Sequence, residues 1–350
     1  MLIEKKEKKP IFRILQVIVI IIGVVMLMLL TNNALYRYRY SQMDTHSDSL
    51  TNMEISQAVT ALNYIKSYGE EIYPGFSTAA IDLIIYNDSY EFLICSITKS
   101  SEWTLVADNT VPGKSIYRRP VLNPQAFAVD TADRWVGSMS TLDTLNTFVF
   151  NSMSGETGVI GYFIPPQLFS ADSGHYTGMV IHEMTHAYQA QQNEVRVKAD
   201  KSIEDINRKY TGEDVFEELI RKEGKYLQMA LDASGSGDII KYARLFLDTR
   251  TERRAICGMS AADIHDEAEY EWLEGMARYA EYMSSFDSSS LMRKNLGNVG
   301  QKAGEQSDDR YYAMGMAQAM LLDKLNNDWK SAAFSDVFTF ENALAEAVDL

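Results

Sequence analysis

Hydrophobic residues fill positions 14–30 almost without a break, with only Gln16 and Gly23 between them. Residues 11–30, at about 1.5 Å each in a helix, span roughly the 30 Å of a bilayer's hydrocarbon core. Lysines precede this run and tyrosines follow it, at Lys5, Lys6, Lys8, Lys9, Tyr36, Tyr38 and Tyr40. The pattern predicts a cytoplasmic segment 1–10, a transmembrane signal anchor 11–30 and an extracytoplasmic remainder at the cell membrane. A cleaved signal peptide is the alternative, although Asn32-Asn33-Ala34 is a poor cleavage site.

Beyond the anchor the periodicity of the apolar positions changes twice. Residues 31–52 are mostly polar, which predicts a juxtamembrane tether, and Ile55, Val59, Leu62 and Ile65 then recur at helical spacing. Continuous or alternating apolar runs at 80–86, 147–150 and 159–164 predict three strands. Helix-forming segments follow at about 173–192, 215–231, 238–247 and 260–285. We therefore predict an α+β ectodomain over 53–350, with a small mixed sheet ahead of a mainly helical lobe from about 200 to 350.

Charge and cysteine content narrow the class of protein. The 350 residues carry a net charge of −15, which argues against nucleic acid as a partner. Of the two cysteines, Cys95 lies in a strongly apolar run, which favours burial, and a disulfide with Cys257 is the alternative.

The segment 182–186 reads His-Glu-Met-Thr-His, which is the HExxH pattern of zinc peptidases. On a helix the two histidines are four residues apart and share a face, so both can reach one ion while Glu183 lies beside it. Zinc bound there lowers the pKa of a water molecule, and a neighbouring carboxylate can take its proton. The motif therefore predicts His182 and His186 as zinc ligands and Glu183 as the general base.

A third protein ligand is needed to complete such a site. Metzincins carry glycine and histidine three and six residues after the second histidine, but Gln189 and Gln192 stand there, so that class is excluded. The helix-forming run 260–285 is rich in glutamates and is the best source of the ligand.

Within that run, Trp272-Leu273-Glu274-Gly275-Met276-Ala277-Arg278-Tyr279-Ala280-Glu281 resembles the W-L-N-E-G-F-A-x-Y-x-E segment of aminopeptidase-N-like gluzincins, with one residue missing before the glutamate. The resemblance implies a zincin-like fold and a zinc ligand at Glu274. Glu281, two helical turns later, could orient a ligating histidine. Glu267 and Glu271, on the same helix face, are the rival ligands.

A second segment, 309–322, is similar to the Y-x-K-G helix of the same family, with Met314 in place of the lysine. The resemblance implies that Tyr312, three residues before Gly315, stabilises the tetrahedral oxyanion. Tyr311 is the alternative donor.

Together these features predict a membrane-anchored zinc peptidase that acts on peptides or proteins outside the cytoplasm. Two other functions are compatible with the same residues. One is a zinc hydrolase of another amide or ester, and the other is a membrane-tethered binding or assembly protein with a vestigial zinc site.

Overall fold

The computed structural model describes residues 9–96, 102–111, 113–121, 128–131, 134–156, 163, 165, 170–199, 201–285, 295–326 and 328–349. The chain divides into two compact units. The first consists of Met1–Ser47 and Thr141–Ala171, and the second of Asp48–Ser140 and Asp172–Leu350. All of the predicted site residues belong to the second unit.

Helices dominate the described residues of both units, and the one sheet among those residues precedes most helices of the second unit. The described helices are α1 (Lys9–Ser41), α2 (Asn52–Ile72), α3 (Leu142–Glu156), α4 (Ser173–Gln192), α5 (Glu194–Lys198), α6 (Ile203–Tyr210), α7 (Asp214–Asp232), α8 (Ser236–Ile256), α9 (Ala261–Ser284), α10 (Val299–Lys302), α11 (Asp309–Leu325), α12 (Trp329–Ala332) and α13 (Phe340–Asp349). The described strands are β1 (Asp82–Tyr86), β2 (Tyr90–Cys95), β3 (Thr104–Val111), β4 (Lys114–Pro120), β5 (Val129–Asp130) and β6 (Trp135–Ser140). The mixed α+β class is confirmed.

The first unit contains the apolar helix. Its segment Arg13–Ser41 is long and apolar enough to cross a membrane, because it contains an 18-residue stretch with a mean hydropathy of 3.0 and no buried residue. The helix continues through Ser41, so the first part of the predicted tether is helical. Beyond the apolar stretch, the Tyr40 ring packs 5.4 Å from that of Phe150 on α3, and the Thr147 hydroxyl contacts the Met43 sulfur at 3.9 Å.

The strand predicted at 147–150 is wrong, because these residues lie within α3. Leu142, Leu145 and Val149 recur at three- and four-residue spacing, which is helical. The Thr141 hydroxyl also accepts from the amide of Thr144 at 3.2 Å and caps the first turn. The strand prediction rested on the four residues from Thr147 to Phe150, which are too few to show the helical period. Most of the strand predicted at 159–164 lies outside the described residues.

The sheet has the order β3-β4-β2-β1-β6-β5. β1 and β6, the fourth and fifth strands in this order, run parallel, and the other neighbours are antiparallel. α4 packs on β6 at Gly137, where a Cβ atom would lie 3.0 Å from the backbone of Met184. The missing side chain therefore lets the helix that carries the HExxH segment approach the sheet closely. Cys95 is buried at the end of β2, and neither cysteine forms a disulfide.

α2 fastens the sheet region to the helical region. Its presence confirms the helix predicted from the amphipathic pattern after the tether. Thr51 and Glu54 form a capping box at its start. The hydroxyl groups of Tyr64 and Tyr73 donate to the carbonyls of Met283 and Met276 on α9, at 2.9 and 2.8 Å. These two bonds connect α9 to α2 and to the residue that directly follows α2.

Candidate metal centre

α4 presents two histidines to one point in the interior of the second unit. Asp172 caps the N-terminus of the helix, and its carboxylate accepts from the amide of His175 at 2.7 Å. His182 and His186 are both buried one turn apart, and their Nε2 atoms lie 3.2 Å from each other. The i,i+4 spacing read from the sequence therefore brings both imidazoles together.

α9 supplies the third group. Its first turn is fixed by a capping box of Ser260 and Asp263. Four turns later, Glu274 Oε2 lies 3.4 Å from Nε2 of His182 and 3.4 Å from Nε2 of His186. The three atoms form a nearly equilateral triangle, and these residues could hold a metal ion.

The Glu274 carboxylate is kept ionised by the imidazoles. Burial alone would raise its pKa, but His186 and His182 outweigh this effect and hold the pKa well below its usual range. Among the described residues, Glu274 Oε2 has no hydrogen-bond partner. A buried, ionised oxygen without a donor is suited to a cation.

The rival glutamates, Glu271 and Glu267, form ion pairs with arginines of α8. Glu271 forms two bonds with the guanidinium of Arg250, at 2.6 and 2.8 Å. Glu267 accepts from Arg253 at 2.7 Å and from Arg254 at 2.9 Å. Both carboxylates are thus neutralised in a buried ion cluster, and neither belongs to the group of three residues that could hold a metal ion.

Each histidine is held through its second ring nitrogen. His182 Nδ1 lies 3.1 Å from Oε2 of Glu281, the contact that the two-turn spacing from Glu274 suggested. His186 Nδ1 lies 2.8 Å from Oε1 of Gln189, which follows it by three residues on α4. Sequence reasoning used Gln189 only to exclude metzincins, although its spacing from His186 on a helix was a usable signal. Such contacts orient metal-binding imidazoles.

Before a metal binds, these carboxylates favour a protonated imidazole. Burial lowers the pKa of His182, but the neighbouring carboxylates of Glu274 and Glu281 more than offset this effect and raise the pKa to about 10. A metal ion would therefore have to displace a proton from His182 at neutral pH.

Glu183 points to the same region but takes no part in the triangle. It is buried, and its Oε2 has no hydrogen-bond partner among the described residues. Burial raises its pKa well above the usual value, the negative charges of Glu274 and Glu281 add to this, and His182 opposes it. An unpaired carboxylate with a raised pKa is a strong proton acceptor when ionised.

α9 and α11 cross with their backbones in contact. A Cβ atom on Gly275 would lie 2.5 Å from Cα of Gly315, and one on Gly315 would lie 2.4 Å from the carbonyl oxygen of Glu271. The crossing brings the residue before Gly275, Glu274, near the residue three before Gly315, Tyr312. The two glycines singled out in the sequence thus meet each other.

Tyr312 lies beside the histidines. Its ring stacks on that of His182 with centroids 5.9 Å apart and planes 16° apart, and the Arg278 guanidinium lies 5.0 Å from its ring centroid. Burial and the charge of Glu274 raise its pKa, so the phenol stays protonated and can donate. Tyr311, the alternative donor, is fully buried. After burial, the charge that most raises the pKa of its phenol is that of Glu267, and not that of Glu274.

A cleft of about 320 Å³ opens onto the candidate ligands. His186 and Glu274 form part of its wall, and the remaining lining is largely apolar, from Ala128, Trp135, Val197, Lys198 and Leu273. The Lys198 ammonium lies 5.3 Å from the ring centroid of Trp135. The cleft gives a solute direct access to two of the three candidate ligands, His186 and Glu274.

The arrangement combines three potential metal ligands, an unpaired carboxylate, a neutral phenol and an open cleft. These are the parts that metal-assisted hydrolysis needs. Comparison with protein-family models, curated proteins and solved structures found no match to this chain.

Proposed function

We propose that this protein is a membrane-anchored, extracytoplasmic zinc peptidase of the gluzincin type, with a zincin-like fold. The observation that carries the proposal is the triangle of His182 Nε2, His186 Nε2 and Glu274 Oε2, with sides of 3.2, 3.4 and 3.4 Å. Donor atoms about 2.0–2.1 Å from a tetrahedral zinc ion are separated from one another by about 3.3–3.4 Å. The size of the triangle and its two imidazoles and one carboxylate therefore fit zinc with one open position.

His182, His186 and Glu274 would hold the ion. A bound zinc ion would act as a Lewis acid and would make water a nucleophile near neutral pH. Glu183 takes a proton from the attacking water and then gives it to the departing amine. Its burial raises the carboxyl pKa, which makes the ionised carboxylate a stronger proton acceptor.

Tyr312 stabilises the charge that develops on the carbonyl oxygen of the substrate. Its hydroxyl is a neutral donor at the edge of the site, and its raised pKa keeps the proton in place. A donor of this kind contributes most when it is already oriented, and the stacking of its ring on His182 provides that orientation.

Peptide or protein is the substrate class we assign, because the cleft at His186 and Glu274 has a largely apolar lining and a volume of about 320 Å³, which suits the side chain of a peptide substrate. α1 would anchor the protein in the membrane, with the lysines at positions 5, 6, 8 and 9 on the cytoplasmic side.

Replacement of the general base separates catalysis from metal binding. Glu183→Gln removes the proton acceptor but none of the proposed ligands, so we expect wild-type zinc content and peptide hydrolysis slowed by about 10²–10⁴-fold. Hydrolysis is followed with a fluorogenic peptide library on the detergent-solubilised full-length protein. Equal rates for the two proteins would contradict the role of Glu183. Zinc binding without hydrolysis of any peptide by the wild type would favour another amide or ester substrate, or a binding function.

A further inference from the structure

We infer that Gln189 is a positioning residue that fixes the tautomer of His186 and connects the part of α4 that carries both histidines to the backbone beside Glu274. The inference rests on the proposed function, because it assigns a role toward the same zinc site. Gln189 is fully buried on the α4 face that carries both histidines.

Three contacts define its orientation. The side-chain Nε2 donates to the carbonyl of Leu273 at 3.0 Å and to that of Trp272 at 3.3 Å, and its Oε1 faces Nδ1 of His186 at 2.8 Å. Carbonyl oxygens can only accept, so the NH₂ group of the amide must face Trp272 and Leu273. The amide oxygen is thereby directed at the imidazole.

This orientation determines the tautomer of His186. An amide oxygen accepts but cannot donate, so the hydrogen bond requires a proton on Nδ1. In the neutral ring, Nε2 then carries the lone pair, and it is Nε2 that lies 3.4 Å from Glu274 Oε2. His186 is thus prepared as an Nε2 ligand without the help of a charged partner.

The two histidines are consequently oriented by different means. His182 donates to the carboxylate of Glu281, whereas His186 donates to a neutral amide. Only the amide also bonds to the residues immediately before Glu274. One side chain therefore links the helix that carries two ligands to the segment that carries the third, and its loss should loosen the relative placement of all three.

The inference is tested with Gln189→Met, which keeps the length of the side chain but removes its hydrogen bonds. Gln318→Met is the matched control, because Gln318 is also fully buried and donates to Glu271 at 2.8 Å and to the Met314 carbonyl at 3.3 Å, away from the ligands. Zinc affinity of the full-length proteins is measured by competition with a chelator, and cobalt(II) is used as a spectroscopic probe of ligand geometry.

We expect the melting temperature of the metal-free protein to fall in both variants. Zinc affinity should fall by about 10–100-fold only in Gln189→Met, with an altered cobalt spectrum. Wild-type affinity and spectrum in Gln189→Met, or an equal loss in Gln318→Met, would overturn the inference alone. Absence of zinc binding in the folded wild type would overturn the proposed function and this inference with it.

A measurement on the wild type keeps the inference testable if Gln189→Met does not fold. The chain has five histidines, so ¹⁵N-histidine labelling gives few imidazole signals, and His186→Ala assigns the relevant one. We expect His186 to carry its proton on Nδ1. A proton on Nε2 alone would overturn the inference.

Discussion

The crossing of α9 and α11 makes Gly275→Ala a sensitive perturbation of the site. The added Cβ would lie 2.5 Å from Cα and 2.7 Å from the carbonyl carbon of Gly315. Ordinary contacts of a Cβ begin at 3.4 Å, so the helices must separate by about 0.9 Å, the difference between 3.4 and 2.5 Å. The neighbouring atoms are backbone and cannot rotate away.

We expect α11 to yield, because α9 is held on α4 by the bonds of Gln189 and Glu281. Overpacking of a core costs about 1–3 kcal/mol, and the higher helix propensity of alanine returns up to about 1 kcal/mol. Because the opposing atoms are backbone, the cost should lie at the upper end of this range, and the net loss of unfolding free energy should be about 2 kcal/mol, the difference between about 3 and about 1 kcal/mol. Tyr312 moves with α11, and a displacement of about 1 Å in an active site lowers the rate by roughly 100-fold.

Urea denaturation followed by circular dichroism measures the stability, and zinc content and peptide hydrolysis are measured on the same preparations. Gly237→Ala is the control, since no atom lies within 4 Å of the added Cβ on the exposed start of α8, and its stability should stay the same or rise. We expect Gly275→Ala to retain zinc. Wild-type stability and hydrolysis in Gly275→Ala would refute the close crossing and its role in placing Tyr312.

Three further predictions concern the phenol, the buried ion cluster and the metal. Tyr312→Phe should keep its zinc and hydrolyse peptides about 10²–10³-fold more slowly, and unchanged hydrolysis would exclude the hydroxyl as a donor. Burial alone would raise the pKa of Glu267, but the charges of Arg253 and Arg254 outweigh this effect and lower the pKa to about 2. Its contribution to stability is therefore complete above about pH 4.5 and lost as the pH falls through about 2, so urea unfolding of the wild type at pH 6, 4 and 3 should show a steeper decline than that of Glu267→Gln. A chelator should lower the melting temperature of the wild type, because free zinc at about 100 times its Kd stabilises the folded state by about 2.7 kcal/mol, and an unchanged melting temperature would argue against a bound metal.

Much of the helical framework could be predicted from periodicity and capping. The helix that carries the HExxH segment was predicted at 173–192 and spans Ser173–Gln192, and the helix that carries Glu274 was predicted at 260–285 and spans Ala261–Ser284. Both follow a side-chain cap and have long amphipathic or strongly helix-forming sequences, so their ends can be predicted from the sequence. The i,i+4 geometry of His182 and His186 follows from the helix alone.

Tertiary packing decided what local patterns could not. The segment at 147–150 alternates over only a few residues, and its helical neighbours determine its structure. Glu267, Glu271 and Glu274 lie on one helix at similar spacing, and only the position of Arg250 and Arg253 on α8 shows which two are neutralised. Sheet order and the contact of Gly275 with Gly315 likewise depend on residues far apart in the sequence.

The most direct test of the His/His/Glu zinc site is the zinc content of the folded full-length protein, determined by plasma mass spectrometry for the wild type, Glu274→Gln and Glu271→Gln. We predict about one zinc ion per chain in the wild type and in Glu271→Gln, and a strong loss in Glu274→Gln. Zinc bound equally well by Glu274→Gln, or no zinc in the folded wild type after reconstitution, would contradict the account.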